Sequence, residues 1–290
     1  MIDLTITITT FSMMVMLFKY FDKINVNNLI AITFNYFTAG TLALSSYLIK
    51  NSFIELRTNT NLNLVITALI VGTLFVITFN LYAYSAQKIG ITLSTISNKM
   101  SMVIPILIGI ILFKEEVTFF KIIGIFLAVG AIVFSSKEDK KSKKISQINI
   151  IILFLLFIIQ GLADGLLNWG QRNILNIENM NLFFTLTFLF AGFTGGLYSF
   201  FKIKTSNLKM DKKSIFWGIV LGIPNYLTLL YFIKSLKSEL FTTYQVFPIV
   251  NIGVIVMCTI LSVILFQEKV SIFKWVGVGF GIIAISLILL

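Results

Sequence analysis

Apolar runs of about twenty residues, each closed by a short polar cluster, follow one another along the whole of this chain. Breaking the sequence at those clusters gives ten runs, near 3–20, 28–49, 62–87, 91–113, 117–136, 147–171, 181–202, 214–235, 240–266 and 271–290. A hydrocarbon core about 30 Å thick takes roughly 20 apolar residues of helix to cross, so each run predicts one membrane-spanning α-helix. The clusters between them are short (FDKINVNN, QKIG, FKEEV, KEDKKSKK, KSE and FQEKV among them), and none leaves room for a soluble domain.

The pattern repeats itself. Residues 111–134 read ILFKEEVTFFKIIGIFLAVGAIVF and residues 264–287 read ILFQEKVSIFKWVGVGFGIIAISL, with Glu115/Glu268, Lys121/Lys274, Gly124/Gly277 and Ala131/Ala284 in register. Asn98/Asn251 and Val103/Val256 carry the same spacing upstream, and Thr33/Thr185, Ala39/Ala191 and Gly40/Gly192 align at nearly the same interval. The most charged break, Lys137 to Lys144, falls near the midpoint. It divides the chain into a first repeat at 1–136, a linker at 137–146 and a second repeat at 147–290. Five spans per repeat is odd, so the second must enter the membrane in the opposite sense: an all-α membrane protein of two inverted five-helix repeats, the architecture of many carriers.

Two repeats that each close with an LF-x-E-x-V-(S/T) break, then a lysine and a glycine-bearing last helix, resemble the EamA-type transporters of the drug/metabolite transporter superfamily. The resemblance covers essentially the whole chain. It implies ten helices around a central cavity, alternating access, and export or exchange of small metabolites. One departure stands out. The family pattern often carries a proline at a set distance before that glutamate, whereas here Pro105 lies closer to Glu115 and Pro248 farther from Glu268.

Composition agrees with a membrane setting and narrows the chemistry. Hydrophobic residues make up 57% of the chain and charged residues 12%, about half the charge of a soluble domain. Histidine is absent and Cys258 is the one thiol, which removes disulfides and Cys/His metal sites. No phosphate-cradling GxxxxGK[ST] segment is present, so no cofactor is expected and ATP does not drive this chain directly. The net charge of +11 sits mostly in the breaks, where it meets lipid head groups rather than nucleic acid. The N-terminus has no basic n-region or small-residue cleavage site, and the first run reads as an uncleaved span.

Polar residues at helical spacing inside an apolar run mark the face turned away from lipid. In the sixth run Gln160, Asp164, Asn168 and Arg172 recur every four residues. An aspartate at that depth costs roughly 2.5–3.5 kcal/mol to insert. It reads either as a substrate or proton-coupling site or as a structural ion pair. Lys99 in the fourth run, beside Asn98, is its candidate partner, or else a side chain that reaches the head groups along its own stem. Asn80 and Tyr84 in the third run, and Tyr226, Tyr244, Gln245 and Asn251 in the eighth and ninth, supply further donors, acceptors and aromatic surface. For the tyrosines the competing reading is interfacial anchoring, which also fits Trp217 and Trp275. Gly161/Gly165 and Gly192/Gly196 are close-approach pairs, and Pro105, Pro224 and Pro248 are candidate kinks. Glu115 and Glu268 read as structural charges that end a span.

Breaks after odd-numbered spans hold about 15 Lys and Arg against about 7 after even-numbered ones, which by the positive-inside rule puts the odd breaks in the cytoplasm. The family resemblance implies the reverse, with both termini cytoplasmic. The expected function is a secondary carrier of small organic metabolites or drugs, an exporter or exchanger with protons as a candidate coupling ion, in a bacterial inner membrane. A monomer suffices to close its cavity, and a dimer stays open. A lipid or polyprenyl-carrier flippase on the same fold is the alternative. An intramembrane enzyme is less well supported, because histidine is absent and no second deep aspartate exists to form a dyad.

Overall fold

A computed structural model describes residues 1–50, 61–114, 116–137, 146–174, 179–206, 210–236 and 243–288. Glu115 and residues 138–145 of the expected linker lie outside them. The described residues form eleven helices and no strand: α1 (Ile2–Lys23), α2 (Asn28–Lys50), α3 (Leu62–Lys88), α4 (Ile91–Met100), α5 (Val103–Phe113), α6 (Phe119–Ser135), α7 (Gln147–Asn173), α8 (Met180–Ser206), α9 (Lys212–Leu236), α10 (Thr243–Phe266) and α11 (Ile272–Ile288). With α4 and α5 taken as one segment, eight are long and apolar enough to cross a membrane, and the 17-residue apolar helices α6 and α11 bring the spans to ten. Lipid gives backbone amides no partner, so apolar runs of this length must satisfy them internally as helices. Polar residues set the ends. Asn61, Thr118 and Ser146 each accept a backbone N–H from the first turn of the helix that follows.

The two halves interlock through a pseudo-twofold that can be read residue by residue. Among helices the bilayer supplies little hydrophobic drive, so close backbone approach at small residues holds the bundle. A side chain at Gly40 of α2 would meet Leu189 of α8, and one at Gly192 of α8 would meet Phe37 of α2. Gly72 of α3 lies against the Thr187 carbonyl of α8, and Gly222 of α9 lies against the Asn35 carbonyl of α2. Gly124 of α6 abuts Ala284 and Ile288 of α11, while Gly277 of α11 abuts Ala131 and Ser135 of α6. Each contact has its exchanged counterpart. The backbone repeats as well: Lys114 and Gln267, the residues that end α5 and α10, both turn left-handed at φ 52°.

One expectation needs adjusting. The fourth run is not one helix but two, α4 and α5, separated at Ser101–Met102. Trp217 packs edge-on against Tyr20 and Phe21 of α1 with ring centroids 5.4 and 6.3 Å apart. Outward faces are apolar, with Ile111, Phe119 and Phe126 each more than 70% exposed, as a lipid-facing surface requires.

Candidate functional site

The break in the fourth span organises the middle of the molecule. Pro105 has no N–H to give the Ser101 carbonyl one turn earlier. That carbonyl instead takes the Ile104 N–H at 2.9 Å, and Met102 N–H reaches back to the Lys99 carbonyl at 3.5 Å. The chain tightens for one turn. Every residue of α4 is buried except Lys99, whereas in α5 only Val103 and Gly109 are. Gly161 and Gly165 of α7 leave room for Ile104, Ile108 and Pro105, which seats α5 closely on α7.

Around that break four helices (α3, α4, α7 and α10) bring polar groups together, and α1 adds an aromatic ring. Asn98 donates its amide to the Gln160 side-chain oxygen at 3.1 Å, and Gln160 donates in turn to Asp164 at 2.8 Å. Lys99 and Ser101 also face Asp164. Lys99 does not close on the carboxylate as a direct ion pair. Its ammonium lies 3.6 Å from the ring centroid of Phe11 on α1 and acts on Asp164 across a gap. Asn251 of α10 points its amide at the Met102 sulfur, 3.8 Å away. Asp164, Lys99, Gln160 and Asn251 are partly buried residues enclosed by helices. Behind them Tyr82 and Thr95 share a buried hydroxyl contact of 2.8 Å that fixes α3 to α4.

The remaining candidates lie elsewhere. Asn168 is half-buried one turn beyond Asp164, and Arg172 is exposed with its guanidinium 4.5 Å from the Phe113 ring. Asn80 donates to the Val76 carbonyl of its own helix. Tyr84 is 40% exposed, and the Tyr226 hydroxyl meets that of Ser46. The side chains of Tyr244 and Gln245 lie outside the described residues. Phe11 and Met102 were missed. Nothing marks one phenylalanine in an apolar run, but the run ITLSTISNKMS over 91–101, dense in small polar residues, was a usable signal.

At one end of the bundle a second polar group ties spans together. Glu268 accepts the Ile91 N–H at 2.9 Å, capping α4 from the far repeat, and pairs with Lys274 at 3.2 Å. Gly90, at φ 130°, is the residue beside it, and a side chain there would collide with the carboxylate. Lys19 donates to the Gln87 carbonyl at 2.7 Å, Gln87 and Asn28 bond reciprocally at 2.9 Å, and Lys88 pairs with Asp22 at 3.0 Å. All of these lie at or beside odd-numbered breaks. Two surface clefts, of about 200 Å³ between α3 and α7 and about 230 Å³ between α2 and α8, do not include Asp164 or Lys99.

A ten-span helical membrane protein of two interlocked halves, with polar groups gathered where a span breaks, has the organisation of a transport protein. Residues 4–137 match the EamA-like transporter family. A Haemophilus influenzae protein described as uncharacterized is 28% identical over 261 residues, 88% of this chain and 86% of its own length. A crystal structure of a protein superposes with a TM-score of 0.63 at 12% identity, covering 99% of this chain and 94% of that one. At that identity the likeness is one of fold.

Proposed function

We propose that the chain is a secondary carrier, an exporter or exchanger of small organic metabolites, whose substrate passes between Asp164 and Lys99. Residues 1–136 and 147–290 act as its two repeats, rocking about the pseudo-twofold to expose that gap to each side in turn. The observation that carries the reading is a half-buried carboxylate and a half-buried ammonium held near each other without closing as an ion pair. Isolated charges at this depth are expensive, so an arrangement that leaves them unpaired is sustained by what enters between them. Asn98 and Gln160 orient the carboxylate, and the Phe11 ring holds the ammonium. Asp164 is the group that would exchange a coupling proton. The bacterial cytoplasmic membrane is the expected location.

The test is metabolite profiling of the medium from cells expressing the wild type or Asp164→Asn at matched levels. A compound enriched outside by the wild type and not by the variant supports the carrier and the role of Asp164. Enrichment by both keeps the carrier and makes Asp164 structural. Enrichment by neither rejects export of a soluble metabolite, and lipid flipping becomes the reading to assay.

A further inference from the structure

The cleft between α2 and α8 shares no residue with the gap between Asp164 and Lys99 and opens on the outer surface. Ile30, Phe34 and Phe37 form one wall, Gly196 and Phe200 the other, and Met210 stands at its mouth. Its floor is a closed polar contact, Thr33 to Ser199 at 3.1 Å, so no unpartnered donor or acceptor faces the space. From Ile30 to Phe37 the wall runs seven residues, about 10 Å of helix. That makes a furrow along the membrane normal rather than a solute chamber.

Its mouth is basic. Lys204 carries its ammonium 4.4 Å from the ring centroid of Phe200, a wall residue, and Lys202 lies beside Tyr198. Lys212 and Lys213 open α9, which is bound to the start of α2 by the Asn27 N–H donating to Ser214 at 2.8 Å. The wall at Ile30 and the first turn of α9 are therefore neighbours. Asp211, the acidic residue described there, accepts the Ser214 N–H at 2.7 Å and spends its charge on capping α9. The mouth thus keeps an excess of ammonium groups at the level where lipid head groups lie.

We propose that this cleft is a specific site for an anionic phospholipid, with one acyl chain in the furrow and the phosphate received by Lys204 and Lys212. An apolar slot alone would take any acyl chain. The lysines at its mouth supply the preference, as basic pockets between spans do for acidic head groups. A free anion lacks the chain that the furrow holds, which commits the site to lipid.

The experiment uses the full chain in detergent with a phospholipid that bears a photoreactive group on its acyl chain, the cross-linked peptides being mapped by mass spectrometry. Labelling is expected to concentrate in residues 30–37 and 196–203. Phosphatidylglycerol should compete at least tenfold better than phosphatidylcholine, and glycerol phosphate should not compete. Gly196→Leu should abolish the labelling, because at Gly196 the nearest atoms to an added Cβ are 3.7 Å away and a larger side chain can fill the slot. Lys204→Gln with Lys212→Gln should bring phosphatidylglycerol down to the level of phosphatidylcholine. Equal competition by the two lipids, competition by glycerol phosphate, or labelling spread evenly over other lipid-facing helices would each overturn the proposal. These readouts come from the wild type and stand whether or not a variant folds.

Discussion

The fourth span and α10 are the same element in two repeats, and they have parted company. The register that pairs Asn98 with Asn251 sets Lys99 against Ile252, Ser101 against Val254 and Pro105 against Cys258. The first copy is broken into α4 and α5, and the second runs unbroken from Thr243 to Phe266 although it contains Pro248. The break follows the proline that sits beside the polar residues, where a lost backbone bond has hydroxyls, an ammonium and a neighbouring carboxylate nearby. Symmetry supplies the frame, while the charges come from unmatched positions, one from each half. Lys99 and Asp164 are thus the residues by which this chain departs from its own repeat.

Removing that departure should have the largest effect. Lys99→Ile gives the fourth span the residue that α10 carries and leaves Asp164 without its opposing charge. Asp164→Asn does the converse. Each is expected to lower transport about 100-fold, as losing roughly 3 kcal/mol of interaction would, with membrane insertion kept. Flux in reconstituted vesicles against expression level measures it. Near-normal flux in both single variants would make the pair a structural feature.

The cap that crosses between repeats is next. Glu268 sits at the end of α10 yet serves α4, and with Lys274 it is mostly shielded, its side chain 12% exposed. Glu268→Gln should cost about 1.5–3 kcal/mol, the range for hydrogen bonds to a charged group. It should show as a lower unfolding temperature in detergent. An unchanged temperature would mean that the contact with Ile91 contributes nothing net.

Pro105→Cys, the counterpart residue from α10, sharpens the same comparison at smaller cost. Restoring an N–H there should let the helix run through Ser101. Hydrogen exchange over residues 102–106 is expected to slow about tenfold. Unaltered exchange would place the cause of the break in packing against α7 rather than in the proline.

The spans and the duplication were legible because membrane thickness and helix rise leave the sequence little freedom, but that Gly124 and Gly277 form the seam between α6 and α11 shows only in the packing. Asp164, Gln160 and Lys99 were legible because polar side chains inside an apolar run have few bland explanations. The division of the fourth span was half legible: Pro105 announced a disturbance, but its position three residues into α5 depended on Ile104 taking the freed carbonyl. Arg172 followed the four-residue stripe of Asp164 and still left it, since the end of α7 lets a long side chain reach the Phe113 ring. Phe11 could not be found from pattern at all, because only the packing of α1 on α4 distinguishes it from the other phenylalanines.

A final set of variants tests whether the symmetric frame is built from close approach or merely from glycine content. An added Cβ at Gly277 would meet the Ala131 carbonyl oxygen at 2.8 Å and the Ser135 side chain, whereas Gly279, two residues on, has nothing within 4 Å. Gly277→Ala should therefore destabilise by about 1–3 kcal/mol through overpacking. Gly124→Ala should cost less, because its nearest contact is the Ile288 side chain at 2.7 Å, which can turn aside, with the Ala284 carbonyl at 3.0 Å. Gly279→Ala should stabilise by about 0.5–1 kcal/mol, since it removes backbone freedom from a helix interior without touching a neighbour. Thermal unfolding of the three variants in one detergent measures the order. If Gly279→Ala proved as harmful as Gly277→Ala, backbone flexibility rather than the α6–α11 contact would be what these glycines provide.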